Sequence, residues 1–508
     1  MTAIDVIVFV WLAIVVFVAY VGLPWLMLRV CPSRRVRGIA PLAATLIATV
    51  GIGTVALSLA GLINPVTVFV LHLGWAAVVF LRSHPSLDAA AERLVRLMVA
   101  FDLRARTVVA PVSRLRNAAA QANDAFRAAP RPALVACAAL AVTVVALYIL
   151  PVLREARLFH PEAYVQLFTV RRMLAGSIAP HIASPALGWV AALAALASVD
   201  AARVVHMLPA LLTAATLPLL LIVVRRRTGS LDAALAAAFI WLIAGSGFAA
   251  ETPWGDLLTR AHAAPGELLG AIVLLTMLGT RRSGEPVLAA LLLCCAPAMT
   301  PAGAAVLLAP SRWRLPFAAT AWLVVAVAGH VPAAPEALHA VAVTLPIALA
   351  LSAAVVFRAM RLPARLPEPA AAQVFGLAVL VAGAGIFPPH LVIERDVVAR
   401  EALRVLTLAG GRPVTLAGDV SPLLRGLGGA SIETFPELAE CAGGGRRCDD
   451  ARQPMFVFVD KRPLVPAAFA SDRDRLITAD AWARTAPGVR ILHDDDTLRV
   501  YYRPPTVF

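Results

Sequence analysis

The feature that most narrows the possible folds is a recurring apolar run about as long as a bilayer is thick. MTAIDVIVFVWLAIVVFVAYVGLPWLML carries Asp5 as its one charged residue in 28 positions. A hydrocarbon core about 30 Å thick takes about 20 residues of helix, and roughly ten to twelve runs of this kind follow one another up to residue 393. Composition agrees, with 60% hydrophobic and 15% charged residues, against about 45–50% and about 25% in soluble domains. The expected fold is an α-helical polytopic membrane protein. The first run lacks a basic n-region and a small-residue cleavage site and is too long for a signal peptide, so it is expected to stay as the first span.

The formal charge of +14 does not point to nucleic acid, because the arginines form no dense patch with interleaved aromatics. They sit between apolar runs, and arginine-rich loops are held on the cytoplasmic side. On that rule CPSRRVRG (31–38), RRRTGS (225–230), RRSGEP (281–286), SRWR (311–314) and RAMRLPARLPEP (358–369) are cytoplasmic. So is the segment 82–132, with nine arginines against four acids. The loops 153–183 and 251–265, and everything after Phe387, then lie outside. One parity problem follows, since a full crossing by the 16 residues 184–199 would send RRRTGS outward. Either that stretch does not span, or the rule fails there. The run 287–310 is interrupted by Pro297, Pro301 and Gly303 and is expected as two kinked or half-length segments.

Four regions follow: transmembrane helices over 1–81, a basic amphipathic cytoplasmic segment over 82–132, a transmembrane module over 133–393 with its two outer loops, and a soluble α/β domain over 394–508. In the second region Leu87, Leu94, Leu97, Met98 and Phe101 recur at helical spacing among arginines, which suits a helix in the anionic interface or a charged connector packed on the bundle. In the fourth, RPVTLAG, ASIETF, PMFVFVD and LRVYYRP read as short strands between helical stretches, PMFVFVD being the clearest buried strand. Cys441 and Cys448 in CAGGGRRC are expected to form a disulfide in an oxidising compartment, in agreement with the outward placement. As a metal site they supply only half of the usual four ligands. Cys31, Cys137, Cys294 and Cys295 read as packing residues. HDDD (493–496) reads as a hairpin turn, since Asp side chains bond turn backbone.

The loop LFHPEAYVQLFTVRRMLAGSIAPHIASP (158–185) interrupts this pattern with a carboxylate, two arginines and two histidines at the lipid–water boundary. Read as a helix, AYVQLFTVRRMLAG puts Tyr164, Leu167, Phe168 and Arg171 on one face, where apolar groups could rest on the bilayer while arginine meets a phosphate. A carboxylate can take a proton in a transition state when it is within hydrogen-bond reach, and arginine's planar fork suits phosphate. The structural alternative for Glu162 is a helix cap, or an ion pair with Arg157 or Arg171. In the second loop Asp256 and Arg260, four apart, also suit a plain helix-surface pair. His206 and His330, near apolar helix ends, read as packed or interfacial histidines.

HPEAYVQLFTVRRMLAGSIAPHIASPALGWVAALAAL, followed by DAARVVHMLPALLTAATLPLLLIVVRRRTGS, resembles the amino-terminal module of the GT-C-type polytopic glycosyltransferases, a superfamily that includes aminoarabinose and protein mannosyl transferases. The resemblance covers about residues 140–330 and includes the Pro-containing run LAALLLCCAPAMTPAGAAVLLAP. It implies transfer of a sugar from a polyprenyl-phosphate carrier to an envelope lipid, glycan or protein on the outer face of the inner membrane. By position Glu162 takes the role of general base, Arg171, Arg172 and Arg260 meet phosphate, and His181, Asp256 and His262 contact donor or acceptor. Where the pattern has an acidic pair this chain has Pro161-Glu162. A metal site is hard to build from Glu162 and His160 alone, so a metal-independent transfer with no cofactor beyond the lipid-linked donor is expected. The second reading is a catalytically silent relative that serves as a scaffold for envelope polysaccharide assembly. A transporter fits less well, since the spans hold few ionisable residues and show no inverted repeat.

Overall fold

The structure, a computed structural model, describes residues 3–31, 39–84, 86–105, 140–154, 161–176, 184–245, 265–279, 300–309, 314–328, 345–356, 415–417, 455–460, 487–495 and 498–504, with short pieces within 261–296 and 480–485. In chain order the helices are α1 (Ala3–Phe17), α2 (Leu23–Val30), α3 (Ile39–Leu59), α4 (Pro65–Ser83), α5 (Leu87–Ala105), α6 (Leu150–Arg154), α7 (Pro161–Leu174), α8 (Pro185–Ala197), α9 (Ala201–Thr228), α10 (Leu231–Gly245), α11 (Pro265–Gly279), α12 (Thr300–Leu308), α13 (Arg314–Ala328) and α14 (Leu345–Val356). A π-turn at Val18–Gly22 joins α1 to α2 without a break, and a second one at Val145–Ile149 leads into α6.

Four of these helical runs, Ile4–Val30, α3, α4 and α9, are long and apolar enough to cross a membrane. The fold is that of an α-helical membrane protein. Of the six to eight further crossings expected beyond these four, the described residues show several shorter apolar helices, among them α8, α11 and α14. Side-chain exposure separates the roles of the long runs. Ile4, Ile7, Val10, Ile14 and Phe17 of α1 and Val66, Phe69, Val70 and Leu73 of α4 are exposed apolar groups, as a lipid-facing surface requires. The central helix α9 is instead buried along Val204, Leu208, Leu220, Val223 and Val224.

Caps written into the sequence start and stop these helices. Asn64 and Thr67 form a reciprocal capping box at the head of α4, with Pro65 in its first turn. The Asp200 carboxylate accepts from the Ala202 amide at 2.7 Å to open α9, and Gly229, in the left-handed region at φ 72°, closes it.

Helix direction sorts the charges. Asp5 of α1 lies 3.8 Å from Arg203 in the first turn of α9, so the two helices start at the same end of the bundle. The short α3–α4 turn and the edge-on contact of Tyr20 with His72 make α4 parallel to α1. Arg29, Arg82 and Arg225 to Arg227 therefore gather at the opposite end, called here the basic end. There Arg226 donates to the Gly279 carbonyl at 3.0 Å and Arg227 to that of Leu278, capping the last turn of α11.

The parity problem of 184–199 is settled by α8. Gly176 packs on Gly61 just past α3, whereas Pro185 packs on Gly51, ten residues back along α3, a displacement of about 15 Å toward the basic end. From there α8 returns. Its 13 residues are about 20 Å long, too short for a core of about 30 Å, and the carbonyl of its last residue, Ala197, accepts from the Trp11 indole at 2.9 Å. Ser184 caps the inner end by accepting from the Leu187 amide, and Ser198, at φ 53°, turns the chain into α9. Residues 176 and 200 thus lie at one end, and α9 is the single crossing between them and the basic Arg225–Arg227 run. The approach of α3 and α8 needs glycine on both sides. A Cβ on Gly51 would stand 2.4 Å from the Pro185 carbonyl oxygen, and one on Gly188 would stand 2.4 Å from that of Gly51.

Toward the carboxy terminus, β1 (Thr415–Ala417), β2 (Met455–Asp460), β3 (Arg490–Asp494) and β4 (Leu498–Arg503) form one sheet in the order β1-β2-β4-β3. β1 pairs parallel to β2, and the other pairings are antiparallel. Three of the four expected strand segments are present, with PMFVFVD central and Phe456, Val500 and Tyr501 buried. ASIETF lies outside the described residues. HDDD is not wholly a turn: His493 and Asp494 close β3, pairing with Val500 and Arg499 of β4, Asp495 follows the strand with its carboxylate 2.9 Å from His493, and Asp496 lies outside the described residues. Asp480 ties the preceding helical turn to β4. It accepts from Tyr501 Oη at 2.6 Å and Arg499 Nη1 at 3.0 Å and pairs with Arg484 at 2.6 Å. Burial alone would push its carboxyl up, but these bonds and the charges of Arg499 and Arg484 outweigh that and hold it below the usual carboxylate range.

Two outcomes follow. Gly51→Ala and Gly188→Ala should each destabilise the bundle by about 1–3 kcal/mol in detergent unfolding titrations. Gly74→Ala, where an added Cβ meets nothing within 4 Å, should leave it unchanged or slightly more stable. Because Asp480 is lowered in the folded state, its stabilisation is complete above the unfolded carboxylate value of about 3.9 and is lost as pH falls through the folded value. Acid titration followed by tyrosine circular dichroism should show that loss in the native protein, and a flatter acid limb in Asp480→Asn.

Candidate functional site

The charged groups at the end opposite the basic end are assembled around α7. Ala163, Leu167, Val170 and Met173 recur at helical spacing and are fully buried, so this stripe seats α7 on the bundle. Ser58 of α3 donates to the Met173 carbonyl at 2.9 Å, satisfying a backbone acceptor in the last turn of α7. At Gly176, with φ 66°, a Cβ would lie 2.7 Å from the Gly61 Cα, so glycine lets the chain leave α7 against the α3–α4 turn.

Arg171 is the best-defined functional candidate. Its Nη2 lies 3.4 Å from Asp200 Oδ1, the same oxygen that caps α9, and the arginine is the less exposed partner, with side-chain exposures of 24% and 58%. One turn of α9 later, Arg203 reaches Asp5. α7, α9 and α1 therefore contribute alternating charges to one end of the bundle. Arg172 lies over the Phe168 ring, with 5.6 Å from Cζ to the centroid, a cation–π contact on the more open side of α7. The expected bilayer-facing row is divided: Leu167 is buried in protein and not set against lipid, while Phe168 lies under Arg172 and Arg171 meets a carboxylate.

The backbone of Glu162 opens α7 as its second residue. Nine residues separate it from Arg171, which puts the two positions about 13 Å apart along the axis and on opposite sides of the helix.

His181, Asp256, Arg260, His262, His330, Cys441, Cys448, Cys137, Cys294 and Cys295 lie outside the described residues. Cys31 is free and buried, and His206, also buried, has Nε2 2.9 Å from the Val152 carbonyl, as packed residues do. Among the described residues no three His, Cys, Asp or Glu side chains group as metal ligands do. Sequence reasoning missed Asp200 and Asp5. Asp200 was legible as a helix cap in VDAARVV, but its pairing with a residue 29 positions earlier is a product of the α8 hairpin. No family model matches the chain, and no curated protein or solved structure matches it.

The Arg171–Asp200 pair is partly solvated, so a double-mutant cycle with Arg171→Ala and Asp200→Ala should give a coupling of about 0.2–1 kcal/mol in stability. Asp200→Ala alone should cost more, about 1 kcal/mol beyond the pair, because it also uncaps α9.

Proposed function

We propose that the protein is a membrane glycosyltransferase of the GT-C type, moving a sugar from a polyprenyl-phosphate carrier to an envelope acceptor. The observation that carries this reading is the arginine held by Asp200 on the same short helix that opens with Pro161-Glu162, at the end of the bundle away from the arginine clusters. The arginine-rich end belongs in the cytoplasm by the charge rule, so α7 faces the outer leaflet of the inner membrane. The carboxy-terminal sheet is assigned to the same outer compartment.

In this reaction an acceptor hydroxyl attacks the anomeric carbon. Its oxygen forms the new glycosidic bond while the bond from that carbon to the carrier phosphate breaks, and the electron pair leaves with the polyprenyl phosphate. Glu162 takes the hydroxyl proton. Arg171 neutralises the departing phosphate as a charge-assisted donor, with Asp200 acting as a positioning residue for the guanidinium. His181, Arg172, Asp256, Arg260 and His262 are assigned to donor and acceptor contacts.

The test is turnover in proteoliposomes supplied with a polyprenyl-phosphate-linked sugar. Glu162→Gln should lower kcat by about 10²–10⁴-fold with insertion and thermal stability unchanged. Arg171→Lys should raise KM for the donor while Glu162 still functions. Full turnover in Glu162→Gln would remove Glu162 as the base, and absence of turnover in the native protein would transfer the reading to a scaffold for polysaccharide assembly.

A further inference from the structure

Beyond α4 the chain enters α5, and there an apolar row is left uncovered. Leu94 and Met98, four residues apart on one face, are 51% and 65% exposed, whereas Ala90, nearer the start of the helix, is buried. A helix packed back on the bundle would bury that face, as α7 buries Ala163, Leu167, Val170 and Met173. Arg96, about 160° round the helix from both, pairs with Glu92, and both of those side chains are exposed. In the sequence the apolar row runs on through Leu97 and Phe101.

Position says what covers it. The α1–α2 run and α4 are parallel and meet at Tyr20 and His72. From that contact nine residues lead to Arg29 and ten to Arg82, a rise of about 14–15 Å along each helix, so the two arginines stand at one level. There Arg29 lies over the exposed Trp25 ring, with 4.9 Å from Cζ to the centroid, the pairing of aromatic and snorkelling cation that marks a membrane–water boundary. The lipid-facing surface of α4 continues to the same level through Val78 and Leu81. α4 then stops: Ser83 Oγ donates to the Phe80 carbonyl at 2.6 Å, and His84 is extended, its ring centroid 4.5 Å from that of Phe80. Ser86 caps α5 by accepting from the Ala89 amide at 3.2 Å. The chain from Ser83 to Leu87 reaches at most about 14 Å, so α5 starts at the boundary.

Its charges keep it there. Asp88, Glu92 and Asp102 balance Arg93, Arg96 and Arg104 within the 19 residues of α5. That many charged side chains oppose a crossing, while a net charge of zero gives the helix itself no pull toward anionic lipid. What remains is burial of the apolar row. We infer that α5 docks on the lipid surface at the basic end, lying in the plane of the membrane with Leu94 and Met98 sunk about 5–10 Å into the boundary of headgroups and acyl chains and with Glu92 and Arg96 in water. Of the two forms the sequence allows for this segment, this is the interfacial helix, held by apolar burial and not by its arginines. The placement is independent of the sugar-transfer reading.

Spin labels on the full-length protein in phosphatidylcholine vesicles test this. Leu94→Cys, Met98→Cys and Arg96→Cys are each made in a background without the native cysteines and labelled. Collision with oxygen, which concentrates among acyl chains, is compared with collision with a water-soluble nickel chelate. The oxygen-to-nickel ratio at Leu94→Cys and Met98→Cys should exceed that at Arg96→Cys by at least about fivefold. Equally low ratios at all three would place the helix in water, and equally high ones would immerse it in the bilayer; either result overturns the inference. Labels at Leu94→Cys and Met98→Cys shielded from both reagents would mean that protein covers the apolar row, and would overturn it as well.

Discussion

The contact on which the rest of the structure depends is the approach of α8 to α3 at Gly51 and Gly188. With 2.4 Å between each imagined Cβ and the facing carbonyl oxygen, any side chain at either position would push the helices apart. Close packing of small residues is what holds helices together where lipid supplies no hydrophobic drive between them. Because the contact holds the start of α8 deep in the bundle, thirteen residues suffice to bring the chain back to the end it left. A helix of full span length starting at the end where α7 stops would have carried Asp200 to the basic end.

The electrostatics follow from that return. Arginines cluster where α2, α4 and α9 end, and α9 and α11 are joined there by guanidinium caps on Leu278 and Gly279. At the other end Asp5, Arg203, Asp200 and Arg171 alternate in sign over three helices. Partly exposed pairs of this kind add little to stability. Their value is orientational: Asp200 uses one oxygen to cap α9 and to hold Arg171, so a backbone feature fixes the direction of a side chain.

Much of the fold was legible in the sequence because bilayer physics writes long apolar runs and biased arginines into it. The runs at Ile4–Val30, α3, α4 and α9 could be read directly, as could the central strand PMFVFVD. The half-length of 184–199 raised the parity question, but sequence alone could not choose between a short helix and a failure of the charge rule. The choice rests on which glycine of α3 meets Pro185, a tertiary fact without a local signature. The candidate site was legible in part for the same reason. Helical spacing put Leu167 on the face of Arg171, yet the stripe that includes Ala163, Val170 and Met173 buries Leu167 in protein. The partner of Arg171 lay beyond a hairpin that periodicity does not reveal.

Sidedness labelling tests the central claim most directly. Single cysteines at Ala175, Val199 and Ser230, placed in a background without the native cysteines, would be probed in sealed, oriented vesicles with an impermeant maleimide. The account predicts that Ala175→Cys and Val199→Cys react from the same side and Ser230→Cys from the other. Reaction of the first two from opposite sides would make α8 a full crossing and contradict it.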